Sequence, residues 1–409
     1  MSSDEGWIEL AGQRVHLRDV RNHPYRYSRL LAAARASRSA VCLCRPQRLR
    51  LVTRCGQGGR YHVACWPHEG PQHDRSCAFF HLEPDLSGRS TYASSAIDES
   101  TQGVSIRFGL PLLTRSATTD SLDESPTSPP GRSRRALGLV GTLHYLWETA
   151  GLTSWPGTVP QPSRPWAEVS TALIDALADC TISGQAATDV VYVVPPYRPD
   201  TADAALQRFD AFIEQLASAD NRYRRGLLVG EVKAVTETPH GLRYQLAQQS
   251  PRRQLFLSAS LAARLRSAFP AAVSTAGHDM GGRRVGLFYV ERSRNGYATV
   301  IDAALMLTNY VYIPADSSYE VLMADALRAA GRSFVKPLTY DPGSDAVFPD
   351  FVLTDEPQAF VEVWGLPGRR EYEQRKAAKK AYYQRHAAHL LEWTVTEPLP
   401  TLPPAPSPR

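Results

Sequence analysis

Between Val347 and Tyr383 the hydrophobic pattern passes from two strand-like runs to a helical period. V-F-P-D-F-V-L-T-D and P-Q-A-F-V-E-V-W-G are short runs rich in Phe and Val, and they predict two buried strands. Glu371 to His386 then predicts a helix, with Tyr372, Lys376, Lys379 and Tyr383 on roughly one face. Upstream, Ser318 to Ala330 predicts a helix with Glu320 in its first turn, and Phe334 to Leu338 predicts a strand. His389 to Thr394 predicts the last strand.

The rest of the chain alternates in the same way. Trp7 to Leu10 and Gln13 to Leu17 read as strands, and Tyr25 to Ala34 as a helix. Val104 to Leu113 alternates like a strand. Leu139, Leu143, Leu146 and Trp147 recur at a helical period. A turn is expected at Trp155-Pro156, and a helix from Trp166 to Cys180. That helix is acidic, so a winged-helix recognition element is not expected there. Further on, Val190 to Val194 reads as a strand and Ala204 to Ala217 as a helix. Leu227 to Val235 and Leu242 to Leu246 form a hairpin, and Ser258 to Phe269 a helix. Val285 to Arg292, Tyr297 to Leu307 and Tyr310 to Ile313 follow as strands.

Two stretches have neither period. Thr114 to Arg135 is rich in Ser, Thr, Pro and Asp and reads as a linker, and the tail after Thr394 is Pro-rich and expected to be disordered. No run of 18 apolar residues occurs, and the N-terminus lacks the features of a signal peptide, so a cytoplasmic protein is expected. The chain has 409 residues, enough for two to four domains. A net charge of +5 does not by itself indicate nucleic acid, and the excess of Arg over Lys resembles the codon bias of a GC-rich bacterial genome. There is no P-loop, no G-x-G-x-x-G and no Ser or Cys nucleophile elbow.

Cysteine is informative by position: five of six lie within the first 80 residues, which in a cytosolic protein favours metal over disulfides. C-L-C supplies Cys42 and Cys44, and H-D-R-S-C supplies His73 and Cys77. Three thiolates and one imidazole make a closed tetrahedral set for a structural zinc ion. Cys55, His62, Cys65 and His68 are competing ligands. C-L-C with Y-H-V-A-C-W-P-H-E-G-P-Q-H-D-R-S-C resembles a bacterial family known as domain of unknown function 1173. The likeness extends through L-G-L-V-G-T-L-H-Y-L-W-E-T-A-G-L-T-S-W and L-L-V-G-E-V-K-A-V into the C-terminal segment. It implies a protein carried on mobile elements, with mobile-element proteins as partners.

Asp350 and Glu362 each stand alone among apolar residues of a strand. An ionised carboxylate there is costly unless it is paired or binds a cation, and two on adjacent strands can share one hard divalent ion. Strand, carboxylate, about a dozen residues, strand, carboxylate resembles the PD-(D/E)xK nucleases, with Pro349-Asp350 and Glu362 in the matching places. The family's lysine position is Trp364 here. The resemblance implies Mg2+ or Mn2+ at Asp350 and Glu362, help from Glu320, and a lysine from the next helix, Lys376 or Lys379. DNA is the implied partner, with Arg369, Arg370 and Arg375 on its phosphates. In the plainer reading, an ordinary α/β domain, Asp350 caps a turn and Glu362 pairs with an Arg. Pro199-Asp200 with Glu231-Val232-Lys233 matches the same motif literally. There, however, Asp200 reads as a helix cap, and Glu231 and Lys233 as solvent-facing strand residues.

The expected fold is α+β and multidomain. An N-terminal zinc-binding module (1–90) precedes a strand plus linker (91–135), a central helical and α+β region (136–315), a C-terminal α/β restriction-endonuclease-like domain (316–396) and a tail (397–409). The function expected is that of a metal-dependent nuclease-like protein. The alternative is an inactive nucleic-acid-binding or scaffold protein with a structural zinc site.

Overall fold

The computed structural model describes residues 6–56, 59–83, 86–92, 95–115, 135–157, 163–217, 222–340, 348–365, 370–386 and 388–406. Most of the expected linker lies outside them. In chain order, β1 (Trp7–Leu10) and β2 (Gln13–His16) make a hairpin, followed by α1 (Leu17–Asn22) and α2 (Ser28–Ser37). β3 (Ala40–Cys42), β4 (Leu49–Cys55) and β5 (Tyr61–Cys65) complete an antiparallel sheet of order β2-β1-β3-β4-β5. Alternation puts Ile8, Leu10, Val15, Cys42, Leu51 and Val63 on one face, in a core closed by Leu31 and Ala34 of α2 and by Phe79.

A small sheet follows, formed by β6 (Ile97–Glu99) and β7 (Val104–Ile106) with later strands. The single strand expected from Val104 to Leu113 is thus two pieces, since β8 (Leu113–Arg115) pairs elsewhere. α3 (Leu139–Thr149) is buried along most of its length. β9 (Ser154–Pro156), α4 (Trp166–Leu177), β10 (Cys180–Ile182), β11 (Gln185–Ala186), α5 (Ala187–Val190), β12 (Val191–Val193) and α6 (Ala202–Gln215) lead to β13 (Arg222–Arg224). The expected Trp155-Pro156 turn is therefore an edge strand: β9 pairs with a strand of the C-terminal sheet.

The central sheet joins β12 to β14 (Gly226–Thr238), β15 (Gly241–Leu246), β16 (Leu255–Ser258), β17 (Arg283–Arg292), β18 (Ala298–Thr308) and β19 (Pro314–Ala315), with α7 (Ala259–Ala268), α8 (Pro270–Val273) and α9 (Thr275–Asp279) between β16 and β17. Tyr310 to Ile313, expected as a strand, is a tight turn. The Asn309 side chain accepts the N–H groups of Val311 and Ile313, and Tyr312 sits at φ 64°. The C-terminal unit runs α10 (Ser318–Ala329), β20 (Ser333–Val335), β21 (Phe351–Leu353), β22 (Ala359–Trp364), α11 (Arg370–Arg385) and β23 (His389–Thr394). Its sheet has order β23-β22-β21-β20-β9, with β22 and β23 parallel and the other pairs antiparallel. Phe334, Phe351, Leu353, Ala359, Val361 and Trp393 pack with Met323, Ala324 and Leu327 of α10, while the alternate residues face α11. The chain after β23 runs back along this unit. Leu402 packs against this core, and the Ala405 N–H reaches the Ala330 carbonyl at 3.3 Å.

Candidate functional site

Cys42 ends β3, Cys44 follows it, and His73 and Cys77 come from the irregular segment after β5. Their ligand atoms all lie within 4.8 Å of one another. Cys42 and Cys77 sulfurs are 3.5 Å apart, and His73 Nδ1 lies 3.4 Å from Cys44 Sγ and 3.6 Å from Cys77 Sγ. A zinc tetrahedron with ordinary bond lengths has edges of roughly 3.5–3.8 Å. Backbone N–H groups of Asp74 and Phe79 point at the Cys44 and Cys77 sulfurs, each at 3.5 Å, as donors to thiolates do. Three thiols in one place cannot all ionise alone. Hydrogen bonding from Cys42 holds Cys44 far down, while the shared bond with Cys44 pushes Cys42 up to about 11 and the bond with Cys42 drives Cys77 higher still. The donor set therefore suits a thiophilic cation such as zinc. The competing ligands are elsewhere. The thiols of Cys55 and Cys65 point to the Gly56 and Trp66 carbonyls, His62 is 3.4 Å from Asp179, and His68 is exposed in a turn.

The second cluster lies where β20, β21 and β22 meet α10 and α11. Ser317 caps α10 by accepting the Glu320 N–H at 3.2 Å, and Glu320 Oε2 accepts the N–H of Asp316, the residue before the cap, at 3.0 Å. That same oxygen is 2.7 Å from Lys336 Nζ, which also sits 2.8 Å from Asp316 Oδ2. Lys336 is 2% exposed. Burial works against its charge, but Asp316 and Glu320 outweigh it and hold its pKa up. Burial also raises Glu320 to about 7, against the pull of Lys336.

Asp350 stands just before β21. Its N–H donates to the Val361 carbonyl at 3.1 Å, and its Oδ2 accepts the Val363 N–H at 2.6 Å, which pins the carboxylate beside Glu362. Burial pushes Asp350 up to about 6; Lys336 and Lys379 oppose this and Glu362 adds to it. Glu362 is 1% exposed. Lys379 Nζ lies 2.8 Å from Glu362 Oε2 and 2.8 Å from the Phe348 carbonyl, and Tyr383 donates its hydroxyl to Glu362 Oε1. Phe351 pairs with Val361, which sets Asp350 opposite Glu362, so the two carboxylates share the face on which Lys379 of α11 meets Glu362. Asp350, Glu362 and Glu320 do not form a second three-ligand group among the described residues. The Lys336 ammonium already occupies Glu320.

A family profile described as "Protein of unknown function (DUF1173)" matches residues 14–396. The chain belongs to the DUF1173 family. No curated protein and no solved structure matches it.

In this DUF1173 chain, Trp364 is a platform for the lysines of α11. Its Nε1–H donates to Glu392 at 2.9 Å, and the Lys376 ammonium lies 4.9 Å from the ring centroid. Lys380 pairs with Glu392 at 2.8 Å. Lys379, not Lys376, is the lysine beside the buried carboxylate. Arg369 and the side chains of Arg370 and Arg375 lie outside the described residues. At the second motif match, Glu231 is not solvent-facing: Arg283 approaches it at 3.0 Å and Tyr312 donates to it at 2.8 Å, while Lys233 is exposed. Lys336 went unnoticed in the DUF1173 sequence. Its signal was a lone lysine inside S-F-V-K-P-L, the argument that singled out Asp350 applied to the opposite charge.

Proposed function

We propose that the C-terminal unit is a metal-dependent, nuclease-like site acting on the phosphodiester backbone of DNA. The observation that carries this reading is the buried pair Asp350, just before β21, and Glu362, within β22, served by Lys379 from α11. The element order α10-β20-β21-β22-α11-β23, with a parallel last pair, supports it. A divalent cation such as Mg2+ held by Asp350 and Glu362 would polarise a phosphoryl oxygen and acidify a bound water. Lys379 holds a positive charge where phosphate charge would develop, and Tyr383 orients Glu362. Lys336 stabilises Glu320 at the rim. The Cys42–Cys44–His73–Cys77 set holds a structural zinc ion that fixes the turn after β5 to β3. Residues 6–56 carry eleven arginines and no lysine against two carboxylates, Glu9 and Asp19, a balance that favours a polyanionic partner.

The test is nicking of supercoiled plasmid in Mg2+ or Mn2+ by the wild type, Asp350→Ala and Glu362→Ala. Loss of at least about a hundredfold in both variants is expected. Equal cleavage by all three would remove the assignment. A second reading, a nucleic-acid binder without catalysis, is favoured by one observation: Glu362 is already neutralised by Lys379 and Tyr383, with Trp364 at the usual lysine position. Retarded DNA with no nicking in either metal would select it.

A further inference from the structure

The central sheet closes on itself. β14, β15, β16, β18 and β17 pair in that order, and β17 pairs back onto β14. Four of the pairings are antiparallel, β16 with β18 is parallel, and α7 follows the third strand of the ring. Leu228, Val232, Tyr244, Leu246, Leu255 and Leu257 are buried. The alternate residues of β15 and β16 must then point outward.

That outward face is unusual in composition. Arg243 pairs in register with Phe256, and Phe256 with Thr299. The Tyr297 ring lies 5.4 Å from Phe256, tilted by 59°, and Tyr297 is 57% exposed. Tyr297 ends the β17–β18 hairpin, whose Gly296 turns at φ 82° and which carries exposed Arg294. The loop between β15 and β16 adds exposed Arg252. A bulge in β14 between Val232 and Ala234 sets Lys233 outward beside the strand pair. Arg243, Arg252, Arg294 and Lys233 make no ion pair among the described residues, and Arg243 Nε is buried without a hydrogen-bond partner.

Two aromatic rings outside a closed barrel, with four unpaired cations around them, fit a ligand with flat faces and regular negative charge. Unpaired nucleic acid offers both, whereas a duplex hides its base faces and a neutral sugar chain lacks the charge. Five-stranded Greek-key barrels of the oligonucleotide-binding type use their second and third strands and the hairpins between strands one and two and between strands four and five for such ligands. Arg243 and Phe256 lie on the second and third strands of this ring, and Arg294 and Tyr297 on the hairpin between the fourth and fifth; Lys233 on the first strand and Arg252 in the loop between the second and third flank them.

We propose that the face of β15 and β16, with Arg243, Phe256 and Tyr297 at its centre, binds single-stranded nucleic acid by stacking and phosphate contacts without sequence readout. This site is separate from Asp350 and Glu362 and does not rest on the nuclease reading. The test is fluorescence anisotropy of the full-length, zinc-loaded protein with labelled oligo(dT) of about 15 nucleotides. The same-length RNA, a duplex and phosphatidylglycerol vesicles as competitor form the other arms. Single strands are expected to bind more tightly than the duplex. Tyr297→Ala should weaken binding by about tenfold at unchanged melting temperature. Arg243→Gln and Arg294→Gln should each lower the log–log salt slope by about 0.7. Binding is read without added Mg2+ or Mn2+, so that it does not depend on a metal-filled C-terminal site and its failure is distinguishable from failure of the nuclease reading. Three outcomes overturn the proposal: equal affinity for strand and duplex, no loss in both Tyr297→Ala and Phe256→Ala, or vesicles displacing the strand completely.

Discussion

At the scale of single residues, the chain places charge and soft ligands where burial makes them expensive unless they have partners. Cys77 is the sharpest case. It closes the four-ligand set from the far side of a segment whose only regular piece among the described residues is the short helical turn Gly70–Gln72. Removing it takes one thiolate from a set of four and leaves His73 buried beside Phe79. Purified wild type is expected to carry about one zinc per chain and Cys77→Ala well under half of that, read by elemental analysis. Full zinc content in Cys77→Ala would move the site to other ligands. The sequence exposed these four ligands through spacing alone. It left Cys55, His62, Cys65 and His68 open because their fate depends on β4–β5 pairing and on Asp179, more than a hundred residues away.

At the scale of elements, the segments between strands do as much positioning as the strands. The short turn at Gly88 is fixed by its N–H donating to the Leu338 carbonyl at 2.9 Å. A Cβ there would meet the Thr339 carbonyl oxygen at 2.2 Å and that of Leu338 at 2.6 Å. Both neighbours are backbone and cannot swing away, so Gly88→Ala should cost about 1–3 kcal/mol in urea denaturation. A neutral result would mean that the contact is lost in solution. α11 shows the opposite economy: it is polar nearly throughout, and it is tied to the sheet by Lys379, Lys380 and Tyr383 meeting Glu362 and Glu392. Its helical period was legible, and so was the shared face of Lys379 and Tyr383. Which lysine meets Glu362 was not, because Trp364 diverts Lys376 to its ring.

At the scale of the whole molecule, the units interlock. β9 lends an edge strand to the C-terminal sheet, Arg54 pairs with Asp179 at 2.8 Å, and Arg75 reaches the Glu356 carbonyl at 3.2 Å. A fragment of residues 316–396 would lose β9 and expose the β20 edge. It is expected to show no cooperative melting by circular dichroism, whereas the full chain melts in one transition; a well-folded fragment would contradict this. Local pattern in the sequence determined most helices, most strands, the Cys42–Cys44–His73–Cys77 grouping and the solitary carboxylates Asp350 and Glu362, because period, burial cost and ligand spacing act within a few residues. Only the tertiary structure decided the closure of β17 onto β14, the recruitment of β9, the packing of Leu402 on the C-terminal core and the pairing of Lys336 with Glu320. Those depend on contacts between segments far apart in the chain, which residue order alone does not encode in any local signal.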